Sequence, residues 1–191
     1  MFFNRFAKRE APFPLIVGMS GVKMGDRVLQ IGCAHGGHLA AIAAKVGLSG
    51  RALAVVKDDA AAERVQKASA NAGVLVEVEI APATRLPVDD ASVDLAIVDD
   101  TDGSFGTMAA DDRAASLREM LRVVRPGGRA MIIGAVPGQG LTAILSGAPK
   151  EPSFASSGAA RQAFEDAGFR AARTLAEREG LVFVEGIKRR E

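Results

Sequence analysis

Residues 27–32, RVLQIG, form a short apolar run bounded by an arginine and a glycine. A run of that length, without regular polar alternation, is the pattern of a strand buried on both faces. Such strands occur in parallel sheets covered by helices. The pattern recurs in RALAVV (51–56), VLVEVEI (74–80), SVDLAIVD (92–99) and RAMIIGAV (129–136). Between these stand helical segments: HLAAIAAKVG (38–47), DDAAAERVQKASANAG (58–73) and MAADDRAASLREMLRVV (108–124). The second has acids in its first turn and an Asn-Ala-Gly stop; the third carries Leu117, Leu121 and Val124 on one stripe. RPGG (125–128) predicts a turn. Strands alternating with helices predict an α/β fold with one mostly parallel sheet, right-handed crossovers and helices on both faces.

The last third changes character. Residues 137–158 are rich in Gly, Pro and Ser and read as a long loop. AARQAFEDAGF (159–169) predicts a short helix with Ser157 as N-cap and Gly168 as its stop. RAARTLAER and GLVFVEGIKR predict a closing antiparallel pair. At the other end, Phe2, Phe3 and Phe6 stand beside Arg5, Lys8 and Arg9. That mixture reads first as a terminal helix or lid packing its Phe side chains on the domain, and second as a membrane-surface segment. Residues 1–24 are accordingly expected to be a lead segment and 25–191 the domain proper.

In open parallel sheets, ligands sit at the carboxyl ends of the strands near the topological switch point. The loop after the first strand, GCAHGGHL (32–39), is therefore the expected binding site. Its Cys33, His35 and His38 fall within six residues, but no fourth ligand is visible, so no metal is predicted. His35 is placed to stack on or hydrogen-bond a ligand, or simply to be exposed on the loop. His38 is placed to cap or solvate the helix that follows.

Four stretches taken in order resemble the class I S-adenosylmethionine-dependent methyltransferases. They are GDRVLQIGCAHGG, LPVDDASVDLAIV, LREMLRVVRPGGRAMII, and FEDAGFRAARTL followed by GLVFVEGIK. The resemblance covers the chain from about Gly25 onward. It implies a Rossmann-like, seven-stranded sheet whose last strand inserts antiparallel, with S-adenosylmethionine as cofactor. It places cofactor contacts at Gln30, Gly32, Cys33, Ala34, His35 and Gly36 in the loop, and at Lys57 and Asp58 after the second strand. It adds Pro82 and Ala83 after the third strand, and Asp99 at the end of the fourth.

Several of these positions depart from the family pattern. Gln30 stands where the first strand normally ends in an acid, and Ala34 where the loop has its middle glycine. Val56 aligns with the acid that holds both ribose hydroxyls, and Pro82 with the acid that meets the adenine amine. A carboxylate on two hydroxyls makes hydrogen bonds worth roughly 1.5–3 kcal/mol each, so Val56 implies weakened affinity unless Asp58 swings in. Lys57 suits a phosphate or carboxylate better than a sulfonium cation. The motif thus reads as degenerate. Asp99 is a candidate general base; Asp100 and Asp102 are expected to cap local amides or form a turn.

The remaining composition excludes more than it selects. A net charge of +1 gives no field for nucleic acid. One cysteine fits a reducing, cytoplasmic setting, and no apolar run reaches membrane-spanning length. The absence of tyrosine excludes a Tyr-Lys reductase pair. The expected function is methyl transfer to an O, N or C nucleophile of a small molecule. The alternative is a non-catalytic methyltransferase-like binding module with an altered or lost cofactor site. Oligomeric state is not legible.

Overall fold

The computed structural model describes residues 13–34, 36–136 and 153–190. The His35 contact, the N-terminal Phe/Arg/Lys segment and most of the 137–158 loop lie outside the described residues. Five helices and seven strands follow in order. They are α1 Pro14–Ser20, β1 Arg27–Ile31, α2 Gly37–Val46, β2 Arg51–Val56, α3 Asp59–Ala72 and β3 Glu77–Ile80. Then come β4 Val93–Asp100, α4 Ala110–Val123, β5 Val124–Ala135, α5 Ala159–Ala167, β6 Arg170–Arg178 and β7 Leu181–Ile187.

The seven strands form one sheet in the order β3-β2-β1-β4-β5-β7-β6. Only β7 runs against the others, pairing antiparallel with both β5 and β6. Side chains alternate across the sheet. Leu29, Ile31, Val98 and Ile132 pack toward α4 and α5, with Leu117, Met120 and Phe164 from those helices. Val28, Ala54, Ile97 and Ile133 pack on the opposite face with Leu39 and Ile42 of α2 and Val65 of α3. The expected α/β architecture is present with both faces covered.

Four local readings change. β3 is shorter than expected because only Glu77–Ile80 pairs, against Leu53–Val56 of the neighbouring strand, and Arg51 pairs with Glu77 where that ladder begins. RPGG is a bulge inside a continuous β5 rather than a turn between elements. The pairing jumps from Val93↔Val124 to Leu95↔Arg129, and the extra residues loop outward around Gly127 at φ 76°. A bulge is where a strand tolerates a proline, which cannot donate to the ladder, and a left-handed glycine. Because α4 gives way to β5 at Val124, its buried stripe is Leu117, Met120 and Val123, with Leu121 only partly buried. The cap of α5 is Gly158 at φ 84°; Ser157 lies one residue earlier and accepts the Ala159 N–H at 3.4 Å.

α1 was not expected from the pattern. It packs Ile16 into the α2/α3 side of the core, and Arg129 Nη2 donates to the Ser20 carbonyl at 2.6 Å.

Candidate functional site

A cleft of about 410 Å³ opens at the carboxyl ends of β1, β2 and β4. It sits at the switch point, where β1 connects onward to β2 on one side and lies beside β4 on the other. Its volume is in the range of small-molecule pockets. A hollow of about 320 Å³ at the other end of α2, lined in part by Leu48 and Leu75, offers only Arg51 and Glu77 as charges, and these neutralise each other.

The glycine loop shapes the near wall. Gly32 has φ 72°, and a Cβ there would stand 3.3 Å from the Asp99 carbonyl oxygen. Gly36 has φ 76°, and a Cβ would stand 2.9 Å from the Arg64 carbonyl oxygen and 3.0 Å from Val65 Cα. Both positions therefore need glycine for backbone conformation and for close packing. Ala34 is not among the described non-glycine residues with positive φ, so its methyl group adds no backbone strain. Gln30 is fully buried beneath the loop and donates from Nε2 to the Gly32 carbonyl at 3.1 Å. Its Oε1 is buried with no hydrogen-bond partner among the described residues.

Cys33 lines the cleft and is largely buried, its thiol facing the Ala61 carbonyl at 3.5 Å. Burial pushes that thiol up, while the Arg64 cation pulls it partly back. It behaves as a small core residue rather than a reactive nucleophile. Among the described residues, no group of His, Cys, Asp or Glu is arranged to hold a metal ion.

His38, the second residue of α2, is buried and not a solvated cap. Its Nδ1 lies 3.0 Å from Asp99 Oδ2, and the edge of Phe13 meets its ring at 4.8 Å between centroids. Asp99 Oδ1 accepts the Thr101 hydroxyl at 2.7 Å. Burial pushes the Asp99 carboxyl up, but His38 and Thr101 pull harder, and the net lies below the usual carboxylate range. Asp99 is therefore ionised and can only accept, so His38 Nδ1 carries the proton of this pair.

Asp100 points to the opposite face of the sheet. Its Oδ1 accepts the Phe105 and Gly106 N–H groups at 2.8 and 3.0 Å, which folds the loop after β4. Its Oδ2 is buried without a partner among the described residues, and burial raises the carboxyl above its ordinary value more than those two bonds recover. Asp102 forms an Asx turn with the Ser104 N–H at 3.0 Å. The local-capping reading of Asp100 and Asp102 matches this geometry.

At the end of β2, Val56 is buried and forms part of the cleft floor. Asp58 is the N-cap of α3, accepting the Ala61 N–H at 2.8 Å, and is not among the cleft-lining residues. Lys57 does line the cleft and is exposed, and Pro82 and Ala83 line it on the side of β3. The cleft thus brings together Gly32, Cys33, Lys57, Pro82, Ala83 and Asp99. Gln30 and Gly36 support the loop from behind.

The sequence reading missed Arg64, Phe105 and Met108, which also line the cleft. Arg64 was findable, since it lies three residues after Ala61 and hence on the same helix face. Phe105 and Met108 belong to an irregular loop with no periodic signal.

S-adenosylmethionine fits this site in volume and in the loop's close-packed glycines. The fit lacks a carboxylate at Val56, the position that the resemblance assigns to the ribose hydroxyls.

A methyltransferase-domain family model matches residues 28–128, just over half of the chain. A ubiquinone/menaquinone biosynthesis C-methyltransferase, UbiE of Idiomarina loihiensis, is 31% identical over 119 residues, covering 61% of this chain and 45% of that protein. An uncharacterised protein of Mycobacterium tuberculosis is 32% identical over 123 residues, covering 63% of this chain and 41% of its own length. The chain thus spans less than half the length of these curated relatives. Among solved structures, a SAM-dependent methyltransferase from Aquifex aeolicus superposes with a TM-score of 0.75 at 23% identity, covering 91% of this chain and 87% of that one. The [4+2]-cyclase SpnF shares the fold with a TM-score of 0.64 at 14% identity, covering 93% of this chain and 79% of its own. No described helix is long and apolar enough to cross a membrane.

Proposed function

The chain belongs to the methyltransferase-domain family, whose class I members use S-adenosylmethionine, and from that premise we propose that it transfers a methyl group to a small-molecule O, N or C nucleophile. The observation that carries this reading is the cleft itself. A glycine loop, the ends of β1, β2 and β4, and an ionised Asp99 converge on one open volume of ligand size.

The cofactor supplies an already activated methyl group on a sulfonium. The protein's remaining tasks are alignment and exclusion of water. Gly32, supported by Gln30, and Cys33 would form the wall that holds the cofactor's amino-acid end. Val56, Pro82 and Ala83 give an apolar seat for its adenosine end. Asp99 is held in one orientation by His38 and Thr101 and puts fixed negative charge beside the reaction position. The Phe13 ring packs on His38, which Asp99 holds. The single cysteine, free and buried, supports a reducing, cytoplasmic setting.

Calorimetric titration with S-adenosylhomocysteine tests the reading; binding in the micromolar to low millimolar range is expected. No heat and no thermal shift at several millimolar would overturn it. A second reading, a methyltransferase-like binding module without catalysis, is favoured by the missing carboxylate at Val56 and by Asp58 being committed to α3. Cofactor binding without methylation of any acceptor in a small-molecule panel would select it.

A further inference from the structure

The end of β2 is where a nucleotide-binding sheet reads the ribose: a carboxylate there holds the hydroxyls, and a cation in its stead accommodates a phosphate. Here the floor position is Val56, buried and uncharged. Of the two carboxylates that follow, Asp58 accepts the Ala61 N–H at 2.8 Å, and neither it nor Asp59 lines the cleft. Two exposed cations, Lys57 and Arg64, line the cleft in their place. Neither makes an ion pair or side-chain hydrogen bond with another described residue. Arg64 lines the cleft together with Cys33, whose thiol its cation draws partly down. The acids that line the same cleft, Asp99, Asp102 and Asp112, come from β4, the loop after it and α4. The cleft is therefore divided by charge, with its positive side at the β2/α3 end.

We propose that this cleft also binds adenine nucleotides phosphorylated on the ribose, with the phosphate held between Lys57 and Arg64 and the base on the apolar seat at Pro82 and Ala83. The inference goes beyond methyl transfer and uses the same cleft for a second ligand class. A phosphate is favoured over a bare ribose diol on two grounds. The carboxylate at the β2 end, Asp58, caps α3 and does not line the cleft, and two cations without an ion-pair partner among the described residues gain one when an anion enters. Because both cations are exposed, the gain is moderate and salt-dependent.

The experiment is calorimetric titration of the full chain with adenosine, adenosine 2′-monophosphate, adenosine 3′-monophosphate and inorganic phosphate, in buffers of low and moderate salt. At least one monophosphate is expected to bind about 5- to 30-fold more tightly than adenosine. That advantage should shrink on raising salt and fall below about twofold in the Lys57→Gln/Arg64→Gln double variant. Equal affinity for adenosine and both monophosphates would overturn the proposal, as would an advantage untouched by the double variant. Inorganic phosphate binding as tightly as the nucleotides would also overturn it, because the site would then read a free anion. Titration of the wild-type protein with S-adenosylhomocysteine is a separate arm: its failure counts against the methyltransferase reading and leaves the phosphate comparison intact.

Discussion

Replacing Val56 by Asp puts a carboxylate back at the end of β2 and tests where the ribose lies. The structure sets both sides of the outcome. Val56 is 2% exposed and packs with the α2/α3 side of the core, so removing its methyl groups costs about 1.5–3 kcal/mol of apolar burial. It also lines the cleft, so the new carboxylate stands at the cleft floor facing the ligand volume. A carboxylate on two ribose hydroxyls makes charged hydrogen bonds of roughly 1.5–3 kcal/mol each, part of which is lost to desolvation. A net gain of about 1.4–2.8 kcal/mol corresponds to a 10- to 100-fold lower Kd. Calorimetry with S-adenosylhomocysteine, beside urea denaturation of the same samples, should show tighter binding by a less stable protein. The same variant should weaken ribose-phosphorylated nucleotides, since like charge then faces the phosphate. A variant that stays folded while its Kd for S-adenosylhomocysteine moves less than twofold would refute the placement of the ribose at Val56.

Three further outcomes follow from the geometry. Asp99→Asn weakens a buried, charge-assisted hydrogen-bond set and should cost about 1.5–3 kcal/mol of stability at neutral pH, read by chemical denaturation. Its folded pKa is depressed, so the stability it gives is present above the unfolded carboxylate value and is lost as pH falls through the folded one. The wild-type advantage over Asp99→Asn should therefore be larger at pH 7 than at pH 3. Asp100 has the opposite sign. Its folded pKa is raised, so its contribution is fullest below the unfolded value and lost as pH rises, and the wild type should gain on Asp100→Asn between pH 7 and pH 4 in the same denaturation assay. Gly36→Ala places a methyl group 2.9 Å from the Arg64 carbonyl at φ 76°, and the strain and overpacking together should destabilise the protein by about 2–4 kcal/mol in thermal unfolding.

The parts that sequence could reveal are those governed by short-range pattern. β1 and β2 were legible because doubly buried strands carry few polar residues, and α3 because Asp58 and Gly73 mark its two ends. RPGG misled because a proline and two glycines make the same local signal in a turn and in a bulge. The difference lies in Val93 and Leu95 of β4, which set the pairing from outside the segment. α1 carries proline, glycine and almost no polar face in seven residues, so no amphipathic period was available to betray it. In the site, the loop glycines and Lys57 were legible by their place after strands. The pair of His38 with Asp99 spans 61 residues and is set only when β1 and β4 come side by side, so no local pattern encodes it.

The end of β4 governs the cleft more than the glycine loop alone does. Successive residues of a strand face opposite sides, so the adjacent Asp99 and Asp100 send one carboxylate to each face of the sheet. Asp99 ties the first turn of α2 through His38, and with it the far end of the glycine loop. Asp100 ties the Phe105 and Gly106 amides, and with them the wall that carries Phe105 and Met108. The two cleft walls are thus hinged on consecutive residues of one buried strand, and a shift of β4 would move both together. The β2 side has no such carboxylate tie: the Val56 side chain packs in the apolar core while its carbonyl accepts the Ala81 N–H at 3.0 Å, Asp58 turns away to α3, and Lys57 and Arg64 are exposed. The cleft therefore has an acidic half, tied by buried carboxylates, where the chemistry of transfer is proposed, and a cationic half at the proposed nucleoside end. Ligand preference should accordingly respond to substitution at Val56, Lys57 and Arg64, whereas fold stability should respond to Asp99 and Asp100.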